Sequence, residues 1–326
     1  MASQIKSVLG GAFVAALLIL PAAAGDNDWT IGSWRSFDAK SVRVDSLVGK
    51  LRVEVKPQAQ TSLQVSGTKD RINDISVRTS GGQLVIEGEN QNAVWDWRNW
   101  FDFSEDHQTT KSLDVHLVVP KGTDISVSDM VGDATIGDTE GNLRFDVAAS
   151  NATIGRTKEA HVSMAGSGKI TMGNVAGDLH LEIAGSGKIK AGSSSSVKAD
   201  VAGSGTAELG PIAHGLNLDI AGSGDFSAAK VNGPVDVDIV GAGSVNIPQG
   251  EANPLHVDIM GAGNFTFGGV AVDPHISAVG SGSVKIRSYR GRLSSDGMAD
   301  VRVGGEGFPA PPAPPAPPAP PAPPPR

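Results

Sequence analysis

The chain has 326 residues, a formal net charge of −8, 42 glycines, 20 prolines and no cysteine. Without cysteine there is no disulfide framework, no thiolate zinc site and no cysteine nucleophile. The acidic balance argues against a nucleic-acid partner, because phosphates attract clustered Lys and Arg. The glycine content exceeds the typical ~7% and indicates either disorder or a repeat with glycine in each turn.

Residues 1–24 have the pattern of a secretory signal peptide. Lys6 precedes an apolar run, and Ala22 to Ala24 offer an A-x-A cleavage site before Gly25. A membrane anchor is the alternative reading, but the run is shorter than the ~20 residues that cross a bilayer. We therefore expect an exported protein of the periplasm, cell surface or outer envelope, without a membrane span after cleavage.

Residues 306–326 form a proline-rich tail with a Pro-Pro-Ala rhythm, and they hold 12 of the 20 prolines. Proline fixes φ and removes a backbone donor, so we expect a disordered or polyproline II segment outside the fold. An inert tail or a spacer through an envelope layer is favoured over a specific ligand for an aromatic groove.

The middle of the chain is a repeat. Two glycines separated by one residue recur at intervals of 18–20 residues. The first glycines of these corners are Gly166, Gly185, Gly203, Gly222, Gly241, Gly261 and Gly280. Less regular units are expected around Gly132 and Ala149, before the first corner, and around Gly297, after the last.

Apolar and polar residues alternate on both sides of every corner. Before Gly222, for example, Leu218 and Ile220 flank Asp219, and Phe226 and Ala228 alternate after it. This period of two predicts strands with one buried face. Units of about 19 residues are too short for helical repeats of ~34–47 residues. They favour an all-β parallel solenoid with coils ~4.8 Å apart over a meander of antiparallel hairpins, because equivalent residues recur in every unit.

Three regions follow from this pattern. Residues 126–305 hold the solenoid repeats. Residues 25–125 are β-rich but less regular, and we expect them to begin the solenoid or to cap its exposed end. Residues 94–107 form an aromatic insert within that N-terminal part.

The chain resembles the secreted bacterial family known as "putative auto-transporter adhesin, head GIN domain". The resemblance lies in residues 37–42, 65–67 and 84–86 and in the train of Ala-Gly-Ser-Gly-Lys-Ile units, and it extends roughly from Ser36 to Arg302. It implies a right-handed parallel β-helix and brings no catalytic residues. The large number of units and the aromatic insert depart from the usual family pattern.

An acidic column is the first candidate site. Carboxylates occupy the position three residues before the corner in five successive units: Glu182, Asp200, Asp219, Asp238 and Asp258. Stacked carboxylates could bind Ca²⁺ weakly, since this ion takes several oxygen ligands. We favour the alternative, a solvated edge that opposes lateral aggregation, and expect no dedicated cofactor.

Histidines occupy the position five residues before the corner in two pairs of adjacent units, His161 with His180 and His256 with His275. Imidazoles at this spacing could share a metal ion or protonate together near pH 5–6. Lys198, found at the equivalent position between the pairs, favours the simpler interpretation of exposed polar residues, so no metal site is predicted.

The aromatic insert is the third candidate. Its rings are concentrated in an aromatic-poor chain: Trp95, Trp97, Trp100, Phe101 and Phe103. Such rings form binding platforms for sugars or protein surfaces, or they plug the end of the solenoid. The sequence leaves both interpretations open.

We expect a non-enzymatic adhesion, binding or scaffold module of the cell envelope. Its partner would be an envelope polysaccharide or protein. Uniform coils leave little room for a catalytic cleft, which disfavours the first alternative, a polysaccharide-active β-helix enzyme. A periplasmic accessory protein tethered by its proline-rich tail is the second alternative.

Overall fold

The structure is a computed structural model that describes residues 32–68, 71–72, 75–88, 113–297 and 300–304. The predicted signal peptide, the aromatic insert and the proline-rich tail lie outside the described residues. The strands are β1 (Trp34–Phe37), β2 (Ser41–Asp45), β3 (Val48–Val55), β4 (Thr61–Ser66), β5 (Ser76–Ser80), β6 (Gln83–Glu87), β7 (Leu113–Val119), β8 (Asp124–Ile136), β9 (Leu143–Ile154), β10 (Ala160–Met164), β11 (Lys169–Met172), β12 (Leu179–Gly185), β13 (Lys188–Ala191), β14 (Val197–Gly203), β15 (Thr206–Ile212), β16 (Leu216–Gly222), β17 (Asp225–Gly241), β18 (Ser244–Ile247), β19 (Gly250–Gly261), β20 (Asn264–Val272), β21 (His275–Gly280), β22 (Ser283–Arg290), β23 (Ser294–Gly297) and β24 (Asp300–Val303).

The strands pair as a parallel solenoid of about nine turns, about 19 residues apart. From β8 onward each strand lies beside its equivalent in the next coil, as in β12 with β14, β14 with β16 and β16 with β17. All of these pairs are parallel. The predicted all-β solenoid is therefore confirmed, and the antiparallel meander is excluded for this region.

The core lies between the strands before and after each corner. The residues two and four positions before the first corner glycine are buried, as Leu218 and Ile220 illustrate. Those four and six positions after it, such as Phe226 and Ala228, are buried as well. The alternation therefore separates a continuous apolar interior from the solvent-facing side of these strands.

Backbone contact between glycines forms the corners. The first glycines of the corners have φ between 105° and 158°. Residues with an L side chain rarely adopt φ between about 20° and 160°. A Cβ placed on Gly222 would lie 2.5 Å from the carbonyl oxygen of Gly203 in the preceding coil. The corner therefore needs glycine both for its φ angle and for the close approach of the next coil.

The N-terminal part of the sheet contains both parallel and antiparallel strand pairs. Strands β2 and β3 pair in parallel with β8 on one side and with β6 and β7 on the other. Beyond them the direction changes, because β5 is antiparallel to β6, β4 is antiparallel to β7, and β1 is antiparallel to β4. Strands β5, β4 and β1 therefore continue the sheet beyond β6 and β7.

Two irregular units differ from the predicted register. Gly132 pairs with Ser150 rather than Ala149, because the pairing of β8 with β9 shifts between Met130 and Val131. At the other end Gly297 lies opposite Ala278 and not opposite the corner Gly280. The glycine spacing therefore did not predict the corners of these units correctly.

No helix among the described residues is long and apolar enough to cross a membrane.

We predict that Gly222→Ala destabilises the fold by at least ~2 kcal/mol, because it adds strain at a positive φ and a Cβ that meets the Gly203 carbonyl. Ser223→Ala, a change at the exposed residue of the same corner, serves as the matched control. The urea unfolding midpoint followed by far-ultraviolet circular dichroism measures both. Equal midpoints for the two variants would contradict the proposed role of the corner.

Candidate functional site

The strands before the corners present one continuous outer surface, which we call the pre-corner face. It consists of the outward side chains of β10, β12, β14, β16, β19 and β21 and of the last residues of β17. Side chains alternate along a strand, so positions one, three and five before the corner point outward. These positions form three parallel columns along the solenoid.

The structure brings the predicted acidic column together. Glu182 pairs with Asp200, Asp200 with Asp219, Asp219 with Asp238, and Asp238 with Asp258, all in parallel register. Each carboxylate thus lies one strand spacing, ~4.8 Å, from the next along the backbone. The five residues form an unbroken row on the pre-corner face.

Two carboxylates of this row have a raised pKa, so their charged form is disfavoured. Partial burial, followed by a hydrogen bond with Asp200 and the charges of Asp200 and Asp238, raises the pKa of Asp219. Partial burial and then the charges of Asp236 and Asp258 raise the pKa of Asp238. Lys198 and His256 act in the opposite direction on Asp219 and Asp238, respectively. The row therefore has a surplus of negative charge that a positively charged partner would relieve.

An exposed apolar row lies beside the acidic column. Val240, Met260 and Val279 occupy the position directly before the corner and are 55%, 65% and 57% exposed. They pair in register, Val240 with Met260 and Met260 with Val279. The sequence analysis missed this row. It could have been found, because the position directly before the corner points outward, as does the position of the acidic column three residues before the corner.

A shallow groove lies on this face. Its lining includes Glu182, Asp200, Asp219 and Asp238 of the acidic column but only Val240 of the apolar row. Carboxylates and an exposed apolar side chain therefore face the same concave surface. This mixture suits recognition of a surface that is itself partly basic and partly apolar.

The histidine pairs lie in the column five residues before the corner, on the same face. The rings of His161 and His180 are 4.6 Å apart between centroids, and those of His256 and His275 are 4.9 Å apart and nearly parallel. Burial, then the charges of Arg144 and His180, lowers the pKa of His161. Among the described residues, only the first pair forms a group of three potential metal ligands, together with Glu182.

The aromatic insert falls outside the described residues, so Trp95, Trp97, Trp100, Phe101 and Phe103 have no structural assignment here. The described residues that border it lie at the N-terminal end of the solenoid. Gly88 donates a hydrogen bond to the carbonyl of Asp45 at 2.8 Å, and Leu113 pairs with Gly49. Gly88 and Leu113, the described residues on either side of the insert, therefore both lie beside the turn that joins β2 to β3.

The family model described as "Putative auto-transporter adhesin, head GIN domain" matches residues 46–213. This match covers just over half of the chain, and the chain belongs to that family. The resemblance predicted from the sequence is confirmed.

Similar solved structures come from two bacteria. A "putative lipid binding protein" from Parabacteroides distasonis is 13% identical, with a TM-score of 0.41 over 84% of this chain and 96% of that one. A "putative adhesin" from the same organism is 17% identical, with a TM-score of 0.36 over 85% and 95%. A "putative adhesin" from Bacteroides fragilis is 17% identical, with a TM-score of 0.28 over 83% and 96%.

All three TM-scores are below 0.5, and the fold is defined by the strand pairing of the chain itself. No curated protein matches the chain significantly.

We predict that Asp238→Asn stabilises the protein at pH 7 by about 0.5 kcal/mol, the order of a like-charge cross-strand contact. A raised folded pKa means that the native state binds more protons than the unfolded state between the two pKa values. Wild-type stability from this group therefore falls as the pH rises through that window. The gain from Asn is expected to shrink when urea unfolding is repeated near pH 4.

The matched control is Asp225→Asn. Asp225 lies after its corner and pairs with Thr206 and Ser244, which carry no charge. An equal stabilisation by both substitutions, or a gain from Asp238→Asn that does not depend on pH, would show that repulsion along the acidic column is not its cause.

Proposed function

We propose that this protein is an exported, non-enzymatic binding module of the cell envelope and that the pre-corner face is its binding surface. The partner is a protein surface that carries basic and apolar side chains. The observation that carries the proposal is the row of three exposed apolar residues beside a column of five carboxylates.

The apolar row is unusual for a solvent-facing β surface. Exposed apolar side chains scattered singly need no explanation, whereas a contiguous group with a polar rim is typical of an interaction site. Val240, Met260 and Val279 are adjacent in register and more than half exposed. Covering them would remove apolar surface from water, which favours association.

The acidic column supplies the electrostatic part of the recognition. Asp238 and Asp258 lie two residues before Val240 and Met260 on the same strands and on the same face. Burial and neighbouring charges raise the pKa of Asp238, so Lys or Arg side chains of a partner would relieve the repulsion there. Complementary charge gives specificity and a faster association rate.

Two further observations support an envelope role. The chain belongs to the family described as "Putative auto-transporter adhesin, head GIN domain", and residues 1–24 have the signal-peptide pattern. The nearly uniform coils favour a flat, repeated binding surface over a catalytic cleft built from long loops.

The test measures binding of the fluorescently labelled protein to isolated bacterial envelopes. We expect replacement of Val240, Met260 and Val279 by Ser to weaken binding at least about tenfold, since each is an exposed contact residue. Added salt is expected to weaken wild-type binding, because the acidic column contributes to it. Protease treatment of the envelopes is expected to abolish binding, and periodate oxidation of their glycans is expected to leave it intact.

The control variant replaces Ser227, Asn246 and Thr266 by Ala on the outward side of the strands after the corners, and it should bind within twofold of wild type. Wild-type binding by the apolar-row variant would overturn the assigned face. Binding that survives protease but not periodate would identify a polysaccharide ligand and overturn the proposed protein partner.

A further inference from the structure

A mixed histidine and carboxylate cluster lies at the N-terminal end of the pre-corner face. Strands β10 and β12 pair so that His161 lies beside His180 and Ser163 lies beside Glu182. One ligand atom from each of His161, His180 and Glu182 lies within 4.8 Å of the other two. We propose that these three residues bind a divalent transition-metal ion of the Zn²⁺ type, a site separate from the apolar row.

The spacing of the donor atoms is close to that of a bound ion. His180 Nε2 lies 3.2 Å from Glu182 Oε1. Two ligands at the usual ~2.0–2.1 Å from tetrahedral Zn²⁺ are about 3.3 Å apart. The His180 and Glu182 atoms therefore already lie at the separation that the ion requires, and a ring nitrogen of His161 lies within 4.8 Å of both.

Two polar atoms of this region are nearly inaccessible to solvent. His180 Nε2 and Asp146 Oδ1 make no well-directed hydrogen bond with any described residue, although Glu182 Oε1 and Asp200 Oδ2 lie 3.2 Å and 3.6 Å from His180 Nε2. A buried polar atom without a partner costs free energy. A metal ion would satisfy His180 Nε2 directly. Asp146 Oδ1 lies 3.7 Å from His161 Nε2, so a second carboxylate lies close to the cluster.

The surrounding charges permit a dication. Arg144 and Lys198 occupy the same column in the coils before His161 and after His180. Each forms an ion pair with a carboxylate of its own strand. The Arg144 Nε to Asp146 Oδ2 distance is 2.7 Å, and the Lys198 Nζ to Asp200 Oδ2 distance is 3.8 Å. The carboxylate oxygen nearest to His180 Nε2 is Glu182 Oε1 at 3.2 Å, ahead of Asp200 Oδ2 at 3.6 Å.

The donor types indicate which ions fit. Two imidazoles and one carboxylate suit Zn²⁺ and neighbouring transition metals, whereas Ca²⁺ prefers a full set of oxygen ligands. A bound Zn²⁺ would cross-link two adjacent coils, because His161 and His180 lie on different strands. The ion would therefore stabilise the fold as well as occupy the site.

The second histidine pair provides an internal control. His256 and His275 lie on adjacent coils with a similar ring separation of 4.9 Å, and His256 Nε2 is 3.1 Å from Asp258 Oδ2. Among the described residues, however, only the first cluster brings three potential ligand atoms within 4.8 Å of one another. The two pairs differ in the arrangement of ligands and not in the number of histidines.

The experiment titrates Zn²⁺ into the full-length chain, purified without a histidine tag, by isothermal titration calorimetry. We expect one Zn²⁺ per chain. His161→Gln, His180→Gln and Glu182→Gln are each expected to weaken binding at least about tenfold. His256→Gln and His275→Gln are expected to stay within twofold of wild type, and a large excess of Ca²⁺ should not displace the Zn²⁺.

Equal weakening by His161→Gln and His256→Gln, displacement by Ca²⁺, or the absence of saturable Zn²⁺ binding would overturn the proposal. Circular dichroism in the presence of a chelator establishes whether each variant is folded. If one is not, imidazole NMR of the wild-type chain decides the question. Zn²⁺ must then perturb two of the seven histidines, and equal perturbation of all of them would contradict the site.

Discussion

Each coil rests on the preceding one through a backbone contact between corner glycines. A Cβ on Gly241 would lie 2.3 Å from the carbonyl oxygen of Gly222, and one on Gly261 would lie 2.4 Å from that of Gly241. When the corners are superposed in this way, the strands on either side align in register. Since a slip of one residue would turn the buried face outward, the apolar columns and the corners enforce the same register.

Register of this kind places like residues beside like. Inside the solenoid this is favourable, because Leu218, Val237 and Val257 continue one apolar column. Outside, the same rule places Asp219 against Asp238 and raises their pKa values through burial and neighbouring charge. The outer columns therefore hold repeated chemistry that the fold does not need for its own packing, and the proposed binding and metal sites both lie there.

The repeat, the corners and the acidic column could be predicted from the sequence because they depend on local periodicity. The pairing of β2 and β3 with β8 could not, since β4 to β7 intervene in the chain and no period links them. The register shift at Met130 arises from the same irregular region. The exposure of Val240, Met260 and Val279 could be predicted, because they occupy an outward position of the strand alternation. Alanines such as Ala221 occupy the same position in earlier coils, so the sequence shows no continuous row of large apolar residues.

The histidine cluster shows the limit of pattern reasoning most clearly. The sequence placed His161 beside His180 and His256 beside His275 as equivalent pairs. Each pair has one carboxylate and one serine in the neighbouring column, Ser163 and Glu182 beside the first and Asp258 and Ser277 beside the second. Among the described residues only the first pair gathers three ligand atoms within 4.8 Å of one another, and this depends on side-chain positions that the sequence pattern does not give.

A distance measurement across several coils tests the in-register parallel solenoid most directly. The chain contains no cysteine, so spin labels can be attached to Ala184→Cys and Val279→Cys without other changes. These residues belong to the same exposed column and are five pairings apart. With ~4.8 Å per strand, double electron–electron resonance should report about 24 Å plus the label linkers. A distance near 48 Å, which two strands per unit would produce, would contradict the account.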